Sequence, residues 1–320
     1  LGLAGETPGG CITEPRNHGA APTRLRGRPF REDEMELGMF TSGYQRYPLE
    51  RAFSDAGRLG YDYIELWGGR PHAFAPDLRL GGVAEIRSMV EKYQMPVYVY
   101  TPEHNAYPYN YMAGGRAQWE DSMEYLELCL EMGKALGAEY TLISVGHGGY
   151  SVPRRALWAR LVESLRRLAD RAEALDHKIL LESLTPWESN LCTTAGELAQ
   201  ALEEVDSPCL LGMCDVVAPA AAGEPVENYL DLLGKKLAHL HLVDSDGHSD
   251  DHLIPGDGIL PLPELLRELA ERGYQGKATI ELVTAYLSEP ALYARRALER
   301  VRAMETENLR KTRTSAGRKL

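Results

Sequence analysis

Short apolar runs alternate with segments of helical periodicity eight times between residues 37 and 282. Apolar runs of this length are typical of strands that are buried on both faces. We predict strands at Leu37–Thr41, Tyr63–Trp67, Val97–Thr101, Tyr140–Ser144, Ile179–Glu182, Leu210–Asp215, Leu237–Val243 and Ala278–Leu282. Strands that alternate with helices form a parallel sheet, and eight such units predict a closed (β/α)8 TIM barrel, an α/β fold in a single domain. A doubly wound open sheet is the alternative, but no glycine-rich dinucleotide-binding motif follows the first strand.

The two ends of the chain lack this pattern. Residues 1–34 are rich in Gly, Pro, Arg and Thr without periodicity, and we expect a disordered extension there, with the natural start at Met35. Residues 305–320 are polar and basic, and we expect a flexible tail. The catalytic barrel is therefore predicted over residues 35–304.

Charge and cysteine content limit the partners. A formal net charge of -12 argues against a nucleic-acid partner, because phosphate binding depends on Lys and Arg. The five cysteines are odd in number and show no CxxC spacing, so we expect a reducing cytoplasm and no disulfide scaffold. The sequence contains no run of 18 apolar residues, so we predict no membrane-spanning helix. We expect a homo-oligomer that acts on a small molecule.

Four neighbouring strands each end on an ionisable residue. These residues are Glu182, Asp215, His241 and Glu281, on the fifth to eighth strands. The carboxyl ends of the strands carry the active site in TIM barrels, so the four side chains are expected at one cavity. Three carboxylates would repel one another there unless a cation lay between them. One divalent ion of Mn, Co, Ni, Fe or Zn suits this ligand set, and it would act as a Lewis acid on a substrate carbonyl.

Single strand-end residues often have a plainer role. An acid in this position is more often a helix cap or a loop residue, and only the set of four on adjacent strands points to a metal. His239 lies on the same face as His241, and we expect it to be an interior residue with a hydrogen-bond partner. Asp244 and Asp246 are expected to be ordinary loop acids.

Further side chains at strand ends are expected to shape the substrate pocket. They are Tyr44, Glu65, Trp67, His72, Glu103, His147 and Trp187. Aromatic rings at a barrel mouth can stack on sugars, although they pack against the rim as often. We predict substrate contacts for five of these residues, namely Tyr44, His72, Glu103, His147 and Trp187.

Long segments between Met35 and Met304 resemble the xylose isomerase-like barrels of sugar isomerases and epimerases. The segments include "GMFTSGYQRYPLERAF", "IELWGGRPHAFAPDL", "YTPEHNAYPYN", "HLHLVDSDG", "IPGDG" and "ELVTAYLSEPALYARRAL". The resemblance implies a metal held by the Glu, Asp, His and Glu already named. It also implies that Glu182 and Glu281 transfer the protons, and that Glu188, six residues after the first ligand, binds the substrate.

The chain departs from the pattern of free-ketohexose epimerases at two positions. Ala218 stands where those enzymes carry a His, and Gly247 where they carry an Arg. Sugar contacts are then expected from His248 or His252. The departures favour fructoselysine as the substrate, interconverted with psicoselysine by proton transfer at C3 through an enediolate.

Three alternatives remain. The first is a 3-epimerase or isomerase of free ketoses of the tagatose or psicose type. The second is an apurinic endonuclease-like barrel, which the net charge of -12 argues against. The third is an inactive sugar-binding barrel, which the presence of both Glu182 and Glu281 argues against. Asp244, Asp246, Asp250 and Asp251 could receive the positive charge of a lysine moiety, but a solvated loop is the better single explanation for most of them.

Overall fold

The computed structural model of the protein describes residues 34–316, without the side chains of residues 284 and 312–316. The extension predicted over residues 1–34 lies outside this range except for Glu34. Eight parallel strands form a closed barrel in which each strand pairs with the next and the eighth pairs with the first. The strands are β1 (Leu37–Phe40), β2 (Tyr63–Gly68), β3 (Val97–Pro102), β4 (Tyr140–Ser144), β5 (Lys178–Glu182), β6 (Leu210–Asp215), β7 (Leu237–His241) and β8 (Lys277–Ile280). The predicted single-domain TIM barrel is confirmed.

Helices surround the barrel. They are α1 (Leu49–Leu59), α2 (Ala75–Asp77), α3 (Val83–Tyr93), α4 (Arg116–Leu136), α5 (Arg154–Ala174), α6 (Ala195–Val205), α7 (Val217–Ala222), α8 (Glu227–Leu233), α9 (Leu262–Glu271) and α10 (Pro290–Ala316). Helix α1 shows how the sequence sets these bounds: Pro48 precedes it, and Gly60 ends it with a φ of 96°, which a glycine adopts without strain. Within residues 34–316, none of the helices is long and apolar enough to cross a bilayer.

The carboxyl-terminal helix is longer than the sequence indicated. Helix α10 continues to Ala316, so residues 305–316 are helical where we predicted the start of a flexible tail. Glu305 is buried. Its carboxylate accepts a hydrogen bond from the backbone N–H of Met35 and forms an ion pair with Arg302. A polar segment thus folds because it finds partners at the beginning of the first strand, which local composition does not reveal.

The strands divide the apolar core into two parts. Most buried apolar residues pack between the sheet and the helices. A smaller cluster alternates with these residues along β3 to β6, and therefore faces the inside of the barrel. Its members are Val99, Tyr140, Leu142, Leu180 and Met213. This inner cluster fills part of the barrel interior and leaves the carboxyl ends of the strands for polar side chains.

Candidate active site

The four residues predicted as metal ligands meet at the carboxyl ends of β5 to β8. Glu182, Asp215 and His241 are the last residues of their strands, and Glu281 follows β8 directly. The His241 Nδ1 atom lies 2.6 Å from Glu281 Oε2, 3.5 Å from Glu182 Oε1 and 3.8 Å from Asp215 Oδ2. The parallel register brings them together, because Asp215 pairs directly with His241 across β6 and β7.

The donor set fits a divalent cation. His241 Nε2 faces the carboxylate of Glu65 at 2.9 Å, and its buried Nδ1 atom has no hydrogen-bond partner of good geometry. With the hydrogen on Nε2, Nδ1 presents its lone pair to the space that the three carboxylates share. Ligand atoms of Glu182, Asp215 and His241 lie within 4.8 Å of one another, and Glu281 Oε2 lies 2.6 Å from the same imidazole nitrogen. Such nitrogen and carboxylate donors suit Mn²⁺, Fe²⁺, Co²⁺, Ni²⁺ or Zn²⁺.

The charges at this point call for a positive partner. Burial raises the pKa of Glu182 well above its ordinary value, and the neighbouring carboxylates of Glu281 and Asp215 raise it further. Burial alone would lower the pKa of His241, but the carboxylates of Glu65 and Glu281 outweigh it, and the pKa is raised well above its ordinary range. Carboxylates crowded in a desolvated site retain a proton unless a cation takes its place.

His252 brings a fifth potential ligand to the same carboxylates. Its Nε2 atom lies 2.7 Å from Asp215 Oδ2 and 3.5 Å from Glu281 Oε2, and it forms a second group of possible ligands with these two acids. We predicted a substrate contact for His252 but no approach to the metal ligands. The sequence carries no signal for this approach, because His252 lies in the long loop between β7 and α9.

Asp244 holds that loop in place. Its carboxylate is buried and accepts hydrogen bonds from the backbone N–H groups of Ser245, Gly256 and Leu260 at 2.8 to 2.9 Å. Backbone hydrogen bonds also join Asp244 to Leu253, the residue after His252. Asp244 was expected to be an ordinary loop acid, and the structure assigns it instead to the ordering of the loop that carries His252.

A cavity of about 200 Å³ opens beside the carboxylates. Of the predicted substrate-binding residues, Glu103, Glu188 and His252 line it, together with Glu182, Asp215 and Glu281. Although part of Glu188 is exposed at the cavity mouth, desolvation of its carboxylate and the nearby Asp250 raise its pKa to about 7. Asp250, one of the loop acids considered for the positive charge of a lysine moiety, also lines the cavity. Polar lining residues that were not predicted include Ser42, Gln45, His104, Asn105 and Ser144. His104 and Asn105 follow Glu103 at the end of β3, where the strand-end argument could have found them.

Four residues predicted to contact the substrate are not part of the cavity wall that the described residues form. They are Tyr44, His72, His147 and Trp187. The hydroxyl of Tyr44 points to Asp55 Oδ2 at 3.3 Å, because a 3₁₀ helix over Thr41–Tyr44 turns the chain towards α1.

The other three residues lie outside the wall for separate reasons. His72 faces the carbonyl oxygen of Tyr47 at 3.0 Å and packs edge-on against Trp67, which does line the cavity. His147 Nδ1 accepts the N–H of Gly149, and Trp187 is 53% exposed. A residue near the carboxyl end of a strand therefore need not point its side chain into the cavity.

Glu65 and His239 lie behind the site. Both are 0% exposed and neither lines the cavity. His239 Nε2 lies 3.1 Å from Glu65 Oε2 and 3.0 Å from Thr279 Oγ1, as expected of an interior histidine with polar partners. Glu65, expected to shape the pocket, instead supports His241 from within the barrel.

Comparisons with known proteins agree with this architecture. Residues 53–304 match the family model described as xylose isomerase-like TIM barrel. The chain is 52% identical over 276 residues to fructoselysine 3-epimerase of Shigella flexneri, covering 86% of this chain and 100% of that protein. It is 52% identical over 274 residues to fructoselysine 3-epimerase of Escherichia coli O157:H7, with coverage of 86% and 100%.

A solved structure gives the same fold at lower identity. D-psicose 3-epimerase from Clostridium cellulolyticum H10, crystallised with D-tagatose, superposes with a TM-score of 0.69 at 19% identity. The match covers 85% of this chain and 99% of that chain, and it supports the fold alone. The family match over residues 53–304 and the two relatives at 52% identity lead to one conclusion: the chain is an epimerase, an enzyme of the isomerase class, and it belongs to the xylose isomerase-like TIM barrel family.

Proposed function

We propose that this protein is a 3-epimerase that depends on a divalent metal and interconverts fructoselysine and psicoselysine. The observation that carries the proposal is that Glu182, Asp215 and Glu281 line one cavity and that each has a carboxylate oxygen 2.6 to 3.8 Å from the buried Nδ1 atom of His241. The 52% identity to fructoselysine 3-epimerases, over their full length, supports the choice of substrate.

In this proposal Glu182, Asp215, His241 and Glu281 hold the metal, which when bound would act as a Lewis acid on the C2 carbonyl of the sugar. Glu182 and Glu281 also exchange the proton at C3. They come from β5 and β8, so their carboxylates approach a sugar above the barrel from different sides. One glutamate removes the C3 proton to give the enediolate, and the other returns a proton to the opposite face. Each such group typically contributes about 10²–10⁴-fold to the rate.

The cavity wall favours a substrate that carries a positive charge. Among the described residues that line it there is no Lys or Arg, whereas Glu103, Glu188 and Asp250 contribute carboxylates beyond the metal ligands. The Asp250 Oδ1 atom is buried without a hydrogen-bond partner. Ala218 also lines the cavity, and its methyl group leaves room that a larger side chain would fill. A sugar with an amine at C1 would place its charge among these acids.

Proton exchange at C3 tests the proposal directly. The metal-loaded protein is incubated with fructoselysine in D₂O, and deuterium at C3 is followed by NMR. We expect exchange in the wild type and its loss in Glu182→Gln and Glu281→Gln, with the exposed Glu91→Gln as the matched control. Absence of exchange with each of Mn²⁺, Co²⁺, Ni²⁺, Fe²⁺ and Zn²⁺ would overturn the proposal.

A 3-epimerase of free ketoses is the second candidate, because Glu188 and the four ligand residues match the pattern of that group. Turnover of fructoselysine, psicose and tagatose by one metal-loaded preparation separates the two. We expect fructoselysine to have the highest kcat/KM. A higher value for psicose or tagatose would assign the enzyme to free sugars.

A further inference from the structure

Two fully buried polar side chains, Glu65 and His239, lie behind His241 and do not line the cavity. Its centre is Glu65 on β2, which is 0% exposed. Glu65 Oε1 lies 2.9 Å from His241 Nε2 and accepts a hydrogen bond from Thr101 Oγ1 at 2.7 Å. Glu65 Oε2 lies 3.1 Å from His239 Nε2. One carboxylate thus connects two histidines of β7 through the interior of the barrel.

The contacts of Glu65 are those of a carboxylate that only accepts hydrogen bonds. Thr101 Oγ1 donates to its Oε1 atom, and the two histidines present Nε2 to Oε1 and Oε2 at 2.9 and 3.1 Å. An ionised carboxylate can only accept hydrogen bonds. His241 Nε2, which faces Glu65, must therefore carry a hydrogen and donate it. The other ring nitrogen, Nδ1, then faces the three carboxylates.

A purely structural role for Glu65 is the plainer explanation. Buried carboxylates that pair with histidines can serve only to satisfy one another, and removal of one partner then costs stability. Two observations favour a further role. First, Glu65 contacts His241, the one described imidazole in the proposed set of four ligands. Second, it contacts the Nε2 atom, whereas the Nδ1 atom of the same ring faces the carboxylates of the ion site.

We propose that Glu65 is a positioning residue for the metal centre, which fixes the ring orientation and the Nε2–H tautomer of His241 so that Nδ1 binds a divalent cation. The proposal rests on the metal site of the proposed function but not on its substrate. Carboxylates that orient a ligand histidine typically change metal affinity about 10–100-fold when they are removed.

The test compares Mn²⁺ binding by the wild type, Glu65→Gln and a matched control. The glutamine has nearly the same shape, but its amide can donate as well as accept, so it no longer selects one tautomer. Glu305→Gln is the control, because Glu305 is also buried and hydrogen-bonded but lies on α10, where it contacts Met35 just before β1, away from the site. Free Mn²⁺ is followed by electron paramagnetic resonance, and the metal-free melting temperature of each variant reports folding.

We expect the Kd for Mn²⁺ to rise about 10–100-fold in Glu65→Gln and to stay within about twofold of the wild type in Glu305→Gln. The visible absorption of bound Co²⁺ should also change in Glu65→Gln, since a ligand nitrogen is disturbed. Folded Glu65→Gln protein with the affinity and Co²⁺ spectrum of the wild type would overturn the proposal, as would a wild type that binds no divalent cation.

A second measurement needs no variant. Long-range ¹H–¹⁵N correlation on Zn²⁺-loaded wild-type protein labelled at its nine histidines reads the tautomer of His241 directly. We expect the Nε2–H form, and an Nδ1–H form would refute the positioning role even if Glu65→Gln failed to fold. Weakened Mn²⁺ binding in Glu65→Gln, without C3 exchange by the wild type, would instead remove the proposed function and leave this inference in place.

Discussion

His252 Nε2 lies 2.7 Å from Asp215 Oδ2, so a residue of the loop after β7 reaches a carboxylate at the end of β6. The contact brings an imidazole into the cavity wall beside the proposed metal ligands. His252 is thereby the candidate for the sugar contacts that Ala218 and Gly247 cannot make. His248 was the alternative in the same loop, but it is exposed and does not belong to the described cavity wall.

The first prediction separates these two histidines. His252→Asn should lower kcat/KM for fructoselysine by about 10–100-fold, as expected when a hydrogen bond of an imidazole beside a carboxylate, worth about 1.5–3 kcal/mol, is lost from the substrate site. His248→Asn is the matched control and should retain wild-type kinetics. Steady-state epimerisation assays check both variants, and equal effects of the two substitutions would contradict the role of His252.

The second prediction concerns the loop that carries His252. Asp244→Asn replaces a buried acceptor of three backbone N–H groups with an amide that accepts at only one of its two ends. Its free energy of unfolding should fall by roughly 1–3 kcal/mol, and activity should fall with it because His252 loses its position. Urea denaturation measures the change. Asp251→Asn, at an exposed position of the same loop, should have no measurable effect on stability.

The third prediction concerns metal removal. A cation that binds the folded state alone stabilises it by about 2.7 kcal/mol at 100 times its Kd, so Mn²⁺ should raise the melting temperature of EDTA-treated protein and restore its activity. Glu281→Gln should reduce this thermal shift, because Glu281 Oε2 is the carboxylate oxygen nearest to His241 Nδ1. Differential scanning calorimetry with and without Mn²⁺ decides the matter, and identical shifts in the two proteins would exclude Glu281 as a ligand.

The fourth prediction is a pH dependence of stability that is independent of the site. Burial, with help from Lys134, lowers the pKa of His177 to about 4, and its Nε2 atom lies 2.9 Å from Thr141 Oγ1. The unfolded chain, with an ordinary pKa of about 6.5, then binds more protons than the folded chain between these values. Stability from this group is complete above pH about 6.5 and is lost as the pH falls towards about 4, by roughly 3 kcal/mol.

His177→Gln checks this dependence, because glutamine can keep a hydrogen bond to Thr141 but does not titrate. Its free energy of unfolding should change less between pH about 6.5 and 4 than that of the wild type. His248→Gln, at an exposed position, should follow the wild type at each pH. Parallel pH profiles for wild type and His177→Gln would show that His177 does not titrate as expected.

The sequence predicted the strands because their signal is local. Buried parallel strands are continuous apolar runs, and Tyr140–Ser144 and Leu210–Asp215 have the predicted bounds. Strand order in a closed barrel then brings the ends of β5 to β8 together without any knowledge of side-chain contacts. The other strand bounds differ from the predicted ones by one or two residues. For example, β8 ends at Ile280, so Glu281 follows the strand instead of lying within it.

Other parts of the site depend on contacts between distant segments. The depth of Glu65 below the cavity follows from its histidine partners on β7, which lie more than 170 residues away in the chain. The position of His252 depends on the hydrogen bonds of Asp244. Tyr44 turns away because a 3₁₀ helix begins directly after β1. None of these features has a periodicity or a local motif that the sequence could reveal.

The inner apolar cluster, formed by Val99, Tyr140, Leu142, Leu180 and Met213, has a consequence for the chemistry above it. It fills the barrel interior beneath the carboxylates, so a substrate and a solvent deuteron approach them from the carboxyl-terminal side of the barrel. Deuterium can then enter C3 only if a glutamate meets this solvent between one proton transfer and the next.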